Sequence, residues 1–198
     1  VLLRLSTKDL QGFSKELFGV AKNTASSFDT VTTAATEFSR QGLSAAETAK
    51  RVNNALILTR LSGLDAEASV SALTAAVNGF KSEAITTTEV VNRLANVDAK
   101  FAVSSGDLAK ALSRAGAVST DAKVKFNELV AATTAVQQAT ARGGNVIGNG
   151  FKTIFTRIQR SKVREELEKI GVATTTATGS IRGAMDVLTD YANVYKTL

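Results

Sequence analysis

Four clusters in the sequence carry residue types that could do chemistry. Gly143-Gly144-Asn145-Val146-Ile147-Gly148-Asn149-Gly150 precedes Lys152 and has the outward look of a phosphate-cradling loop. Such a loop needs a buried strand before it and a Gly-Lys-Ser/Thr end that aims an ammonium and a hydroxyl at phosphate and Mg²⁺. Here residues 131–142 have a helical pattern and Phe151 stands before Lys152. The stretch therefore reads as a helix–helix turn in which glycine supplies positive φ. Glu165, Glu166 and Glu168 are the densest acids, but adjacent residues point in different directions on a helix. An opposed carboxylate pair for glycosidic cleavage does not follow. Ser44, Ser104 and Ser105 have no His to activate them and read as helix caps. The fourth cluster is basic: residues 142–164 hold six Lys/Arg and no acid. If 151–164 is one helix, Phe151, Ile154, Phe155 and Ile158 form a buried apolar face. Lys152, Arg157, Arg160 and Arg164 then share the opposite arc. Phosphate neutralisation is conceivable there, but both Phe lie on the apolar face and none is free for base stacking. The arc is a candidate surface for acidic protein partners, or a solvated face, and no specific nucleic-acid binding is expected.

Composition removes more than these clusters add. The 198 residues contain no His and no Cys, so the usual zinc ligands, thiol nucleophiles and the commonest general base near neutral pH are missing. No catalytic, cofactor-binding or metal-binding residue is nominated; the expectation is a non-enzymatic chain that needs no cofactor. Net charge is +6, and residues 142–170 supply +4 of it, seven Lys/Arg against three Glu. There are 31 Ala and 24 Thr, aromatics are 6% and Trp is absent. At about 25 cal/mol per Å² of apolar surface, a small-residue core stabilises a lone chain weakly, so order through association is expected. The chain starts at Val1 without an initiator Met, which suggests a window cut from something longer. No apolar run approaches the ~20 residues that span a bilayer, and no signal peptide is legible.

The elements that would position these residues all read as helices. Pro is absent. Leu3, Leu10, Leu17, Thr24, Val31 and Phe38 fall seven apart, with Phe28 and Ala35 at interleaved positions, which predicts one long coiled-coil-like helix over 1–41. Gly42 ends it, and Ser44 with Glu47 reads as a capping box for a helix over 45–62. Further helices are predicted from Asp65 to Gly79-Phe80, from Thr86 with Val90, Leu94, Val97 and Phe101 inward, from Ser104 to Ala115, over 121–141, and over 147–160 with continuation through 162–169. Residues 171–179 read as a linker. The last helix carries Ile181, Leu188, Tyr191 and Tyr195 at heptad-like spacing. Both terminal stripes (Leu3, Leu10, Leu17, Phe28, Val31 and Phe38; Ile181, Leu188, Tyr191 and Tyr195) are candidate oligomer-packing surfaces. The fold class is all-α, a multi-helix array, divided into 1–41, a core over 42–170, and a linker and helix over 171–198.

Phe38 through Glu47, then Ala55-Leu56-Ile57-Leu58 and Ala72-Leu73 through Gly79-Phe80, resemble the core of phage tail tape-measure proteins. Leu94 through Asp98, Phe101 through Ser105, Leu108 through Arg114, Leu129 through Thr140, Gly148 through Ile154 and Arg157-Ile158 continue the likeness in order. It covers about residues 35–170, and Asn149-Gly150-Phe151 departs from the small Gly-Thr step of that family. The resemblance implies a tail-length ruler that lies in the lumen of the tail tube and leaves ahead of the genome. It also implies a homo-oligomer, with a trimer favoured and a hexamer as alternative. The implied partners are the tail-tube protein, tail tip or baseplate hub proteins and tail assembly chaperones. It places the chain in the host cytoplasm during assembly and, after ejection, in contact with the host envelope. Two other functions compete: a membrane-active helical module forming a genome conduit, and a free-standing nucleic-acid-binding domain.

Overall fold

The computed structural model describes residues 6–197. Ten α-helices follow one another: α1 Thr7–Thr24, α2 Phe28–Ser39, α3 Ala45–Ser62, α4 Ala66–Gly79, α5 Thr87–Lys100, α6 Ser105–Asp121, α7 Phe126–Thr140, α8 Gly144–Ile158, α9 Ser161–Lys169 and α10 Ala184–Tyr195. Among the described residues the extended structure is a single isolated bridge, Thr175 to Ile181. The all-α class is as the periodicity predicts.

The long first helix is not continuous. Ala25 turns left-handed at φ 46°, and the Ser26 N–H closes back on the Ala21 carbonyl. Ser27 then caps α2, its hydroxyl accepting the Thr30 N–H at 3.1 Å. A serine hydroxyl that can satisfy an orphan N–H makes a new start cheaper than continued helix. Leu17, Thr24, Val31, Ala35 and Phe38 are nevertheless buried, because α1 and α2 both pack on α3. Leu10 and Phe28 are exposed, and Leu3 lies outside the described residues.

Other starts follow local chemistry. The reciprocal capping box is at Thr86 and Glu89: the Thr86 N–H donates to Glu89 Oε2 at 2.8 Å, and the Glu89 N–H donates to Thr86 Oγ1 at 3.2 Å. At Ser44 only half the box forms, because the Glu47 carboxylate turns to Arg51 at 2.9 Å. Phe101 is not part of the α5 stripe; it is the extended residue that ends the helix and is exposed.

α6 is the centre of the molecule. It packs most extensively on α8 and α4 and also touches α3, α5 and α7. Leu108, Ala109, Ala111, Leu112 and Ala115 are all buried. Glycine sets the approach on both flanks. A Cβ on Gly79 of α4 would lie 2.7 Å from the Gly116 backbone, and one on Gly148 of α8 would lie 2.8 Å from Ala111 Cα. On Gly144 it would lie 1.9 Å from the Asp107 carbonyl oxygen, a distance no structure tolerates. Gly144 and Gly148 are thus one turn apart on α8, facing α6. The glycine-rich stretch is not a turn, as its composition suggests, but the first turns of a helix; none of its glycines has positive φ, and Gly144 and Gly148 serve close approach instead. Phe38, Phe80, Phe126 and Phe155 fill the larger spaces of a single core that runs from Leu17 to Ala184.

Candidate docking site

The basic residues 152–164 do not share one helix. α8 ends at Ile158, and Arg160 takes extended backbone (φ −72°, ψ 133°) before α9 begins. Lys152 and Arg157 are exposed on α8, and Arg160 is exposed at the junction. Arg164 is half-buried on α9, and its buried Nε has no hydrogen-bond partner among the described residues. It lines a crevice with Asp121, Gln159, Thr174 and Arg182 to which none of the other three contributes. The break divides the arc that a single helix would have made.

The apolar side of α8 is divided too. Phe151 and Phe155 are buried with ring centroids 5.4 Å apart. Ile154, expected beneath them, is 40% exposed, and Ile158 is half-buried. Because α9 turns away after Gln159, these two isoleucines face outward into a groove between α8, α9 and α10. Val163 and Leu167 of α9 and Val187, Leu188 and Tyr191 of α10 complete it, with Thr153 and Arg157 at the edge; its volume is about 250 Å³. The structure therefore brings together Arg157 from the basic set with Leu188 and Tyr191 from the C-terminal stripe. Tyr195 is more exposed still, and Ile181 lies on the bridge before α10 rather than in it. Val163, Leu167 and Val187 were not singled out from the sequence. The i, i+4 pair Val163 and Leu167 was a legible signal; that it faces α10 was not.

The loop before α10 is held in place rather than free. The Ala184 N–H donates to the Ala122 carbonyl at 2.9 Å, Lys123 Nζ to the Ile181 carbonyl at 2.7 Å, and Arg182 pairs with Asp190 at 2.6 Å. This fixes α10 beside α8 and gives the groove its second wall.

A polar junction stabilises the other end of α8. Asp107, in the first turn of α6, accepts the Gly144 N–H at 2.8 Å and Gln137 Nε2 at 2.7 Å. Burial pushes its carboxyl up. The bonds from Gly144, Gln137 and Ser104, with Lys110 nearby, outweigh that and hold it below the usual aspartate range. One carboxylate thus joins α6, α7 and α8. Among the described residues no group of three or more His, Cys, Asp or Glu gathers as a metal site, and no helix is long and apolar enough to cross a membrane.

Fold and surface define an all-α protein whose central helices meet through glycine and which leaves apolar and basic side chains side by side at one end. More particularly, the chain belongs to the family of phage-related minor tail proteins, whose sequence model matches residues 7–198. It is a phage tail protein, and the family places it with the virion. No solved structure matches the chain.

Proposed function

We propose that this chain is a tape-measure component: a non-enzymatic ruler that sets tail length, organises tail-tube assembly and is released at genome ejection. The observation that supports it most is the family match across residues 7–198, joined to the ordered resemblance over about 35–170. In this reading the chain lies in the tail lumen as a homo-oligomer, with a trimer favoured over a hexamer. It contacts the tail-tube protein, the tip or baseplate hub and assembly chaperones, and reaches the host envelope after ejection. The exposed cations Lys152, Arg157 and Arg160 face acidic partners. Each such surface pair contributes only about 0–1 kcal/mol, so partner selection rests on the set and not on one charge.

The test is a graded series of in-frame deletions and duplications in the full reading frame of the phage, with tail lengths read by electron microscopy. Tail length should change in proportion to the number of residues removed or added. Tails of constant length across the series would overturn the ruler. Dye release from liposomes by the purified chain would instead favour the membrane-conduit reading.

A further inference from the structure

We infer that the groove between α8, α9 and α10 is a docking site for an acidic amphipathic helix of a partner protein. The partner helix lays aliphatic or aromatic side chains on Ile154, Ile158 and Tyr191 and turns carboxylates toward Arg157. The inference rests on the reading of the chain as an assembling tail component and adds the place and chemistry of the contact.

Three observations carry it. The groove walls are apolar yet open, with Ile154 40% and Tyr191 41% exposed; large side chains left in water on three converging helices are where a partner gains most from apolar burial. The space, about 250 Å³, is at or below the roughly 300–1,000 Å³ of pockets that enclose small ligands. It suits a few side-chain anchors better than an enclosed molecule.

Charge then selects the partner. Residues 142–170 carry +4, and three of the neighbouring acids are already engaged: Glu166 with Lys169 at 2.7 Å, Glu168 with Thr174, Asp190 with Arg182. Among the described residues Glu165 and Asp186 make no ion pair and are outnumbered by the cations around them. Lys152, Arg157, Arg160 and Lys162 have no ion pair within 4.0 Å among the described residues. A second copy docking here through the same face would bring two such excesses together, whereas an acidic helix meets free cations. The acidic partner is therefore the occupant that the surface favours.

The experiment uses two labelled helix-forming peptides with the same Leu anchors at i and i+4, one flanked by Glu and its twin by Lys, in fluorescence anisotropy with the purified chain. The Glu peptide should bind with a Kd of roughly 10–100 µM and its twin at least about tenfold more weakly. Ile154→Asp changes an exposed side chain; it should keep native helicity and melting and weaken the Glu peptide about tenfold or more. Arg157→Glu should narrow or invert the preference between the twins. Equal binding of the Glu peptide to Ile154→Asp, no discrimination between twins, or no binding up to about 1 mM would overturn the proposal. So would self-association, seen by sedimentation, that Ile154→Asp abolishes, since the groove would then belong to a second copy. The assay needs no phage, so a chain that binds as expected but leaves tail length unaltered fails only the ruler.

Discussion

Gly144 and Gly150 lie on the same helix and should respond in opposite ways to the same methyl group. At Gly144 a Cβ would collide with the Asp107 carbonyl, while at Gly150 it would meet nothing within 4 Å. Gly144→Ala should destabilise by about 3 kcal/mol or more, as overpacking against main chain does. Gly150→Ala should stabilise by about 0.5–1 kcal/mol by removing unfolded-state freedom. Denaturant melts of the two variants check the pair; equal effects would refute the close α6–α8 contact. Asp107 has its own signature. Its folded pKa is lowered, so the stability it contributes is fully present above the unfolded value, about 3.9. It is lost as pH falls through the lower folded value. Unfolding free energy measured between about pH 6 and pH 3 should fall on acidification, and Asp107→Asn should flatten part of that slope. Little of this was legible beforehand. The Gly-x-x-x-Gly spacing of 144 and 148 stood in plain view, but composition alone favours a turn when four glycines fall within eight residues. Only the neighbouring helix decides that they are contact points.

Helix existence was far more readable than helix continuity. The seven-residue spacing from Leu17 to Phe38 survives the break at Ala25 because a period records which residues face the core. It does not record whether the chain pauses between them. The break itself is a local competition, won by the hydroxyls around Ser27, and a small gain at the turn should reinforce it. Ala25 holds φ 46° without a glycine's freedom, which costs an alanine about 1 kcal/mol. Ala25→Gly is expected to raise the midpoint of thermal unfolding, with the gain near 1 kcal/mol; a loss would mean that α1 and α2 prefer to be one helix in solution. The end of α8 was misread for a related reason. Residues 151–164 keep an amphipathic period through Gln159, yet Arg160 is extended, and Ile154 and Ile158 pass from core to groove. Phe155 did fall where its face predicts. It is fully buried, and Phe155→Ala should cost about 3–5 kcal/mol in equilibrium unfolding. An effect under about 1 kcal/mol would show that α8 is loosely seated.

At the scale of the whole chain, the absence of Pro and the repeated caps made the all-α class readable, while the packing order was not. No sequence pattern announces that α6 is the element that both α4 and α8 approach through glycine. The small-residue composition raises the question of how the chain holds together. Much of the answer lies in five buried Phe and a set of buried Leu along one core, and the remainder in self-association if the proposed oligomer forms. Sedimentation across a wide concentration range, paired with melting curves, should show melting temperature rising with concentration as the chain associates. A monomer whose melting is independent of concentration would confine the oligomer to the assembled tail or remove it.

The glycine contacts on the two sides of α6 have a consequence for how this region can change over time. A crowded side chain can be relieved by trimming its neighbour, so most core positions drift in compensating pairs. Gly79 and Gly144 face main-chain atoms, which every residue possesses and none can trim. A new side chain at either position has no substitution across the interface that would make room for it. The only remedy is to move a helix, and α6 is held on both flanks. The α4–α6–α8 trio therefore varies as a unit or hardly at all, leaving the groove beyond Ile154 as the place where one tail protein can come to suit a different partner.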